Sequence, residues 1–301
     1  MDRFTHFFFR FVLAALLLCA LPSAWAFHTI PCSNNTIQDA INSILAEELA
    51  NGGADGVDYY IALGGGLVFN EPVVINDNGT PGGVVVAIIG GLAIDPTDPN
   101  QCAASPGVFD GSLSVMSGGG RFHQSVIQVT GHATVYLDAL TLSGASLGGS
   151  GGGISFDGTG SLELYGVNIT GNTAGSGAGI HANGSVPGLG IHFHDLVLPS
   201  GNHIINFVQQ NAATNGPGGG MDLSGETFLT ANDGELIVGV NTASGDGGGV
   251  AFRGRGSIQF GQNMQLVGNT ARNGGGIFIN PTDPTDATFY DGVIVAGNTA
   301  V

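Results

Sequence analysis

The chain contains no lysine, and its basic residues are six arginines spread over 301 positions. A nucleic acid or an anionic membrane surface needs a dense positive stripe, so neither is an expected partner. Cysteine is nearly as scarce, with three in the whole chain, too few for a disulfide-built scaffold. Long apolar runs are lacking too. The longest, Phe11–Leu21, falls short of the roughly 20 residues that a membrane-spanning helix requires. What the chain has in abundance is glycine, 54 residues of it. Glycine disfavours helix interiors by about 0.5–1 kcal/mol per site relative to alanine, and it suits short strands joined by tight turns.

The apolar run belongs to a leader. Arg3 and Arg10 precede it, and Ala24-Trp25-Ala26 follows as a small-residue cleavage site, so residues 1–26 read as a secretory signal peptide and the remainder, 27–301, as the exported chain. Cys19 raises a lipoprotein signal as the alternative, but Leu18 before it is too large for lipid modification. Without the leader, four arginines face 22 acidic residues, a net charge of −18. Acidity dispersed in this way keeps an extracellular surface soluble; calcium is the ligand it would otherwise suit. Two cysteines remain, Cys32 and Cys102. In an oxidising compartment they read as a disulfide, with two buried thiols as the alternative.

A phrase recurs along the chain. GNTARNGGGI (268–277) has near-copies in GNTAGSGAGI (171–180) and NTASGDGGGV (241–250), a looser one in NAATNGPGGGM (211–221), and a closing GNTA (297–300). Its asparagines, Asn172, Asn211, Asn241, Asn269 and Asn298, are spaced by 39, 30, 28 and 29 residues. LTLSGAS (140–146) aligns with VNITGNT (167–173), which puts Ala145 on the same ladder. Three residues before the ladder stand Leu142, Ile169, Val208, Val238, Leu266 and Val295; five before stand Leu140, Val167, Asn206, Leu236, Met264 and Val293. Two-residue spacing of apolar side chains marks a strand with one face inward. A second apolar pair follows each glycine run, from Ile154 and Phe156 to Ile277 and Ile279, and a third stretch such as SLELYG (161–166) follows that. Three short strands in a period near 28 residues predict an all-β parallel β-helix, with the ladder asparagines hydrogen-bonded along its axis.

The most regular coils fall in 133–301. Earlier, VDYYIAL, PVVI, VVVAII and SVIQV are strand-like runs set off by glycine, proline and asparagine, and they predict less regular coils. One helix is expected, over residues 36–51, with Ile37, Ile41, Ile44, Leu45 and Leu49 on one face and Thr36 and Asp39 forming a capping box. It would cover the N-terminal edge of the solenoid.

These residues resemble those of exported bacterial right-handed parallel β-helix proteins, in the pattern of the polymorphic outer membrane proteins and autotransporter passengers, and the resemblance implies a right-handed coil. That family pairs GGA[ILV] with FxxN. Here GGGI, GAGI, GGGM, GGGV and GGGI match the first element, while the phenylalanine place of the second holds Ile169, Val208, Val238, Leu266 and Val295. CSNNTIQDAI, IIGGLAID, Cys102 and FDG (109–111) are similar to the opening coils of such proteins. The resemblance implies a secreted or cell-surface, outer-membrane-associated structural or recognition module, adhesin-like, with a polysaccharide or another surface molecule as partner.

Polysaccharide lyases and hydrolases of the pectate-lyase type share this fold and give the alternative function. Arg253 and Arg255 are the only clustered cations, with Asp222 and Asp246 as candidate carboxylates; an exposed turn with solvated arginines is the plainer reading. The Arg-x-Lys element of the hydrolases is excluded by the missing lysine, and GHA (131–133) is not their glycine-histidine-glycine. No catalytic residue is therefore assigned. His181, His192, His194 and His203 raise a metal site, but without matching ligand spacing they read as surface histidines. The turns IDPTDP (94–99) and INPTDP (279–284) offer oxygens to calcium, yet they are ordinary Asp-Pro turns; no metal or other cofactor is assigned. The chain ends on GNTAV, inside the repeated phrase. The expectation is a longer protein, or an edge bearing Val293, Val295 and Val301 that pairs with a second copy.

Overall fold

The structure, a computed structural model, describes residues 27–29, 37–50, 59–77, 79–80, 82–93, 112–119, 123–198, 200–261, 263–280 and 286–301. Within them the chain winds into a parallel β-helix. Its faces are sheets of 12, eight and five strands, and a two-strand antiparallel hairpin stands apart. The widest sheet contains β1 (Ile127–Asp138), β2 (Ile154–Tyr165), β3 (Ile180–His194), β4 (Met221–Asp233) and β5 (Val250–Phe252). Strands Tyr59–Gly64, Val73–Asp77 and Val84–Leu92 extend it toward the N-terminus, as the early apolar runs predict.

The register agrees with the sequence alignment. Ile169 pairs with Leu142 and Val208, and Ile180 pairs with Ile154 and Met221. Inward residues from both sheets are fully buried, Phe156 and Phe252 among them, and form one continuous core. At the last coil this burial lapses: Val293 is half-buried, while Val295 and Val301 are 53% and 85% exposed.

The division of the coils differs in part from expectation. In β1 to β4 the second and third predicted strands are one continuous strand, so β2 carries both the ISF and the SLELY stretches, whereas β5 and the following Arg255–Phe260 are separate strands as expected. Gly158 and Gly160, with φ of 154° and 108°, bend the backbone there; the pairing with β1 runs through them unbroken, while β3 shifts register opposite them. The remaining face is made by the two residues after each ladder asparagine, Thr173–Ala174, Ala212–Ala213, Thr242–Ala243, Thr270–Ala271 and Thr299–Ala300. Ala174, Ala213, Ala243 and Ala271 form a small apolar stack of their own.

The asparagine ladder is present as predicted. The Asn241 carbonyl accepts from the backbone N–H of Asn211 at 3.0 Å and from its side-chain amide at 3.1 Å. Asn241 Nδ2 donates to Val208 O at 2.8 Å and to Asn269 Oδ1 at 3.0 Å. Asn172 and Asn269 repeat the pattern, Asn298 closes it, and at the other end Ala145 N donates to Asn172 Oδ1. The glycine before each second strand is required by proximity: a Cβ on Gly179, Gly220 or Gly249 would stand 2.4–2.5 Å from a carbonyl of the next coil. Asn206, the one polar residue among the apolar positions, is fully buried and satisfied, accepting from Val167 N at 2.9 Å and donating to His194 O at 2.8 Å.

The helix α1 spans Ile37–Ala50 and packs on the first strands of the widest sheet, in the place of a cap. Its buried stripe is Ile37, Ile41, Ile44 and Glu48, and Leu49 is 62% exposed, against expectation. At 3.6 residues per turn Leu49 points about 120° away from Ile37, whereas Glu48 lies within about 20°. Thr36, half of the expected capping box, lies outside the described residues. Glu71 holds the amides of the first two described helical residues, its Oε1 accepting from Ile37 N at 2.7 Å and Gln38 N at 3.3 Å. Gln38 in turn exchanges two hydrogen bonds with the backbone of Val74.

Candidate functional site

On the outer surface of the widest sheet, parallel register turns residues remote in sequence into columns. Gln128, Ser155, His181 and Asp222 occupy one column on β1 to β4. Asn76, Thr130, Asp157, Asn183 and Ser224 occupy the next. Within the second column Thr130 Oγ1 donates to Asn76 Oδ1 at 3.1 Å and Ser224 Oγ to Asn183 Oδ1 at 3.3 Å. Across the two, Ser155 Oγ reaches Asp157 Oδ2 at 3.5 Å, the outer limit of a hydrogen bond.

Asp222 is the anchor of this surface. It is fully buried although it stands on the outward side of the sheet, because Arg253 and His181 cover it. Arg253 Nη2 donates to both carboxylate oxygens at 2.8 Å, and its Nε donates to Oδ1 at 3.1 Å. A buried carboxylate is tolerated when it is paired in this bidentate way. His181 Nδ1 lies 3.3 Å from Asp222 Oδ2 without an in-line hydrogen bond. Beside it opens a groove of about 560 Å³ lined by His123, Gln128, Ser150, Ser155, Asp157 and His181 among others.

A second polar group lies further along the same strands. Glu163, paired in register with His192 and Tyr136, accepts from or donates to His194 Nε2 at 2.8 Å according to protonation. Tyr165 and His194 stack at 4.5 Å with rings 14° from parallel, so each covers a face of the other. Burial alone would raise the Glu163 carboxyl, but the His194 hydrogen bond, the charges of His192 and His194 and a hydrogen bond from Ser161 outweigh it and hold it below its ordinary value. The hairpin of Leu196–Val197 and His203–Ile204 adjoins this group and accounts for the long spacing before Asn211. His203 meets Asp195 at 3.2 Å, and Asp195 also accepts from Glu235 N at 2.7 Å.

Several sequence candidates take a definite place. Arg253 and Asp222 come together; Asp246 pairs with Arg272 instead, at 3.2 Å. His192 and His194 are neighbours with rings 6.3 Å apart, while His181 belongs to the groove. Among the described residues no three His, Cys, Asp or Glu side chains form a metal-binding group. Cys32, Cys102 and the IDPTDP turn lie outside the described residues, as does Pro281–Pro284 of INPTDP. Ser155, Asp157, Gln128 and Glu163 carry no motif in the sequence; only the stacking register gathers them.

Comparison with protein families, with curated proteins and with solved structures returned no match for this chain. The reading of function therefore rests on the surface itself.

Proposed function

We propose that the protein is an exported, cell-surface β-helix that recognises neutral saccharide through the groove beside His181. The observation that carries this reading is the chemistry of the lining: hydroxyl, amide, imidazole and carboxylate groups from three successive coils, set on one sheet. Such groups match the alternating donors and acceptors of a polyol, and a sheet holds them at fixed spacing. The signal-peptide reading of residues 1–26 and the adhesin-like resemblance point to the same surface role. No helix among the described residues is long and apolar enough to cross a membrane.

The lyase reading has less support. Abstraction of a proton beside a uronate needs a cation free to meet the substrate, and Arg253 is committed to Asp222 through three hydrogen bonds. A chain of net charge −17 also repels polyanions at long range. The test is binding to an array of neutral and acidic polysaccharides, run beside an assay for unsaturated uronate products with and without calcium. Retention on neutral glycans without product formation is expected. Product from a polyuronate, or no retention on any neutral glycan, would overturn the proposal.

A further inference from the structure

The first column of the groove contains, in successive coils, Gln128, Ser155, His181 and Asp222. In that order they are an amide donor, a hydroxyl, an imidazole and a buried carboxylate. We propose that this column is an acyl-transfer site that cleaves carboxylic esters, with Ser155 as nucleophile, His181 as its base, Gln128 as oxyanion donor and Asp222 as the residue that positions His181.

The geometry supports each role. Asp222 is fully buried, and the bidentate contact of Arg253 fixes it as an acceptor. His181 Nδ1 is itself buried, and its 3.3 Å neighbour is Asp222 Oδ2. Ser155 is the register partner of His181 on the neighbouring strand, about 4.8 Å away by strand spacing. Its hydroxyl, 3.5 Å from Asp157 Oδ2, reaches the imidazole by a rotamer change. Catalytic hydrogen bonds are commonly long before substrate is bound. Ser155 is 6% exposed and lines the groove together with Gln128 and His181.

The reaction balances without a cofactor. Ser155 Oγ attacks the ester carbonyl carbon while its proton passes to His181 Nε2. The carbonyl oxygen becomes the oxyanion and takes a hydrogen bond from the Gln128 amide. Collapse expels the alcohol, which leaves with the proton from His181. Water, activated by His181, then cleaves the acyl-serine to free Ser155 and a carboxylic acid.

A fluorophosphonate probe tests this without knowledge of the natural substrate. The wild-type chain is expected to gain one phosphonyl group, with loss of fluoride, at Ser155 by peptide mass mapping, and to hydrolyse p-nitrophenyl acetate. Ser155→Ala should abolish labelling with unchanged melting temperature, and His181→Ala, compared at a temperature where it is folded, should slow it roughly 100-fold. Asp222→Asn, compared at a temperature where it is folded, should alter the pH profile of labelling, which a purely structural role would leave in place. Absence of labelling in the wild type, labelling at another serine, or labelling that persists at the wild-type rate in His181→Ala would overturn the proposal. The probe carries no sugar, so this outcome is independent of the saccharide reading.

Discussion

Asn241 makes four hydrogen bonds through one side-chain amide, all of them buried. Replacing it by leucine leaves Asn211 N, Val208 O and part of the Asn269 amide without partners, and the expected loss is about 3 kcal/mol, read from chemical denaturation. Asn298→Leu, at the half-buried end of the ladder, should cost about 1 kcal/mol because water replaces the lost bonds. The residue before each ladder position is left-handed: Gly144, Gly171, Gly268 and Gly297 have φ of 64–74°, and Gln210 and Val240 take φ of 55° and 56°. A β-branched residue is strained there, and Val240 is largely exposed. Val240→Gly should therefore raise stability by about 1 kcal/mol. Gly171→Ala should lower it by a similar amount, since open space surrounds Gly171 and backbone conformation alone decides. Thermal melts of the two variants give the signs. The ladder was legible in the sequence because equal spacing and flanking apolar pairs announce a stack. The role of Asn206 was not, because its partner Val167 is one coil away across an insertion.

At the scale of elements, the two-residue period revealed inward faces but not where a strand ends. Gly158 and Gly160 look like a break in the sequence and act as a bend in the fold. Likewise the helix was predicted from its isoleucines, whereas the carboxylate that accepts from Ile37 N belongs to Glu71 on a distant segment, which no local motif encodes. The Glu163 group gives this scale its pH dependence. A carboxyl held below its ordinary value contributes stability that is fully present above about pH 4.5 and fades as pH falls through the folded-state value. Glu163→Gln should thus be less stable than wild type at neutral pH, and the gap should narrow as the solution is acidified below that point. A gap that stays constant from neutral to acid pH would show that the hydrogen bond to His194 is not a charged one.

Across the whole molecule, the register of the groove was legible and its chemistry was not. The alignment of Ile154, Ile180 and Met221 already sets Ser155, His181 and Asp222, one residue later, in a single column, although the 196–204 hairpin lengthens the last interval. Apolar periodicity reports the inward face, and which outward polar groups gather into a groove depends on the side chains that cover them, as Arg253 covers Asp222. Charge acts at this scale as well. Twenty-three carboxylates face six arginines, and Arg253 and Arg272 are already engaged with Asp222 and Asp246. The remaining repulsion is long-ranged and screened by salt, so raising ionic strength should raise the melting temperature by a few degrees; a fall would mean that the ion pairs outweigh the net charge.

Every bond along the asparagine column runs in one sense, with the donor in the earlier coil and the acceptor in the later. Such a chain of amides is polarised end to end, and each rung is strengthened by its neighbours by about 10–30%. The column is then a single cooperative unit and not a sum of independent pairs. Removing one amide weakens the rungs on either side, so a second removal next to it finds less to destroy. In a double-mutant cycle, Asn211→Leu together with Asn241→Leu should cost less than the two single losses added, by about 1 kcal/mol, whereas Asn172→Leu with Asn269→Leu, two rungs apart, should come closer to additivity.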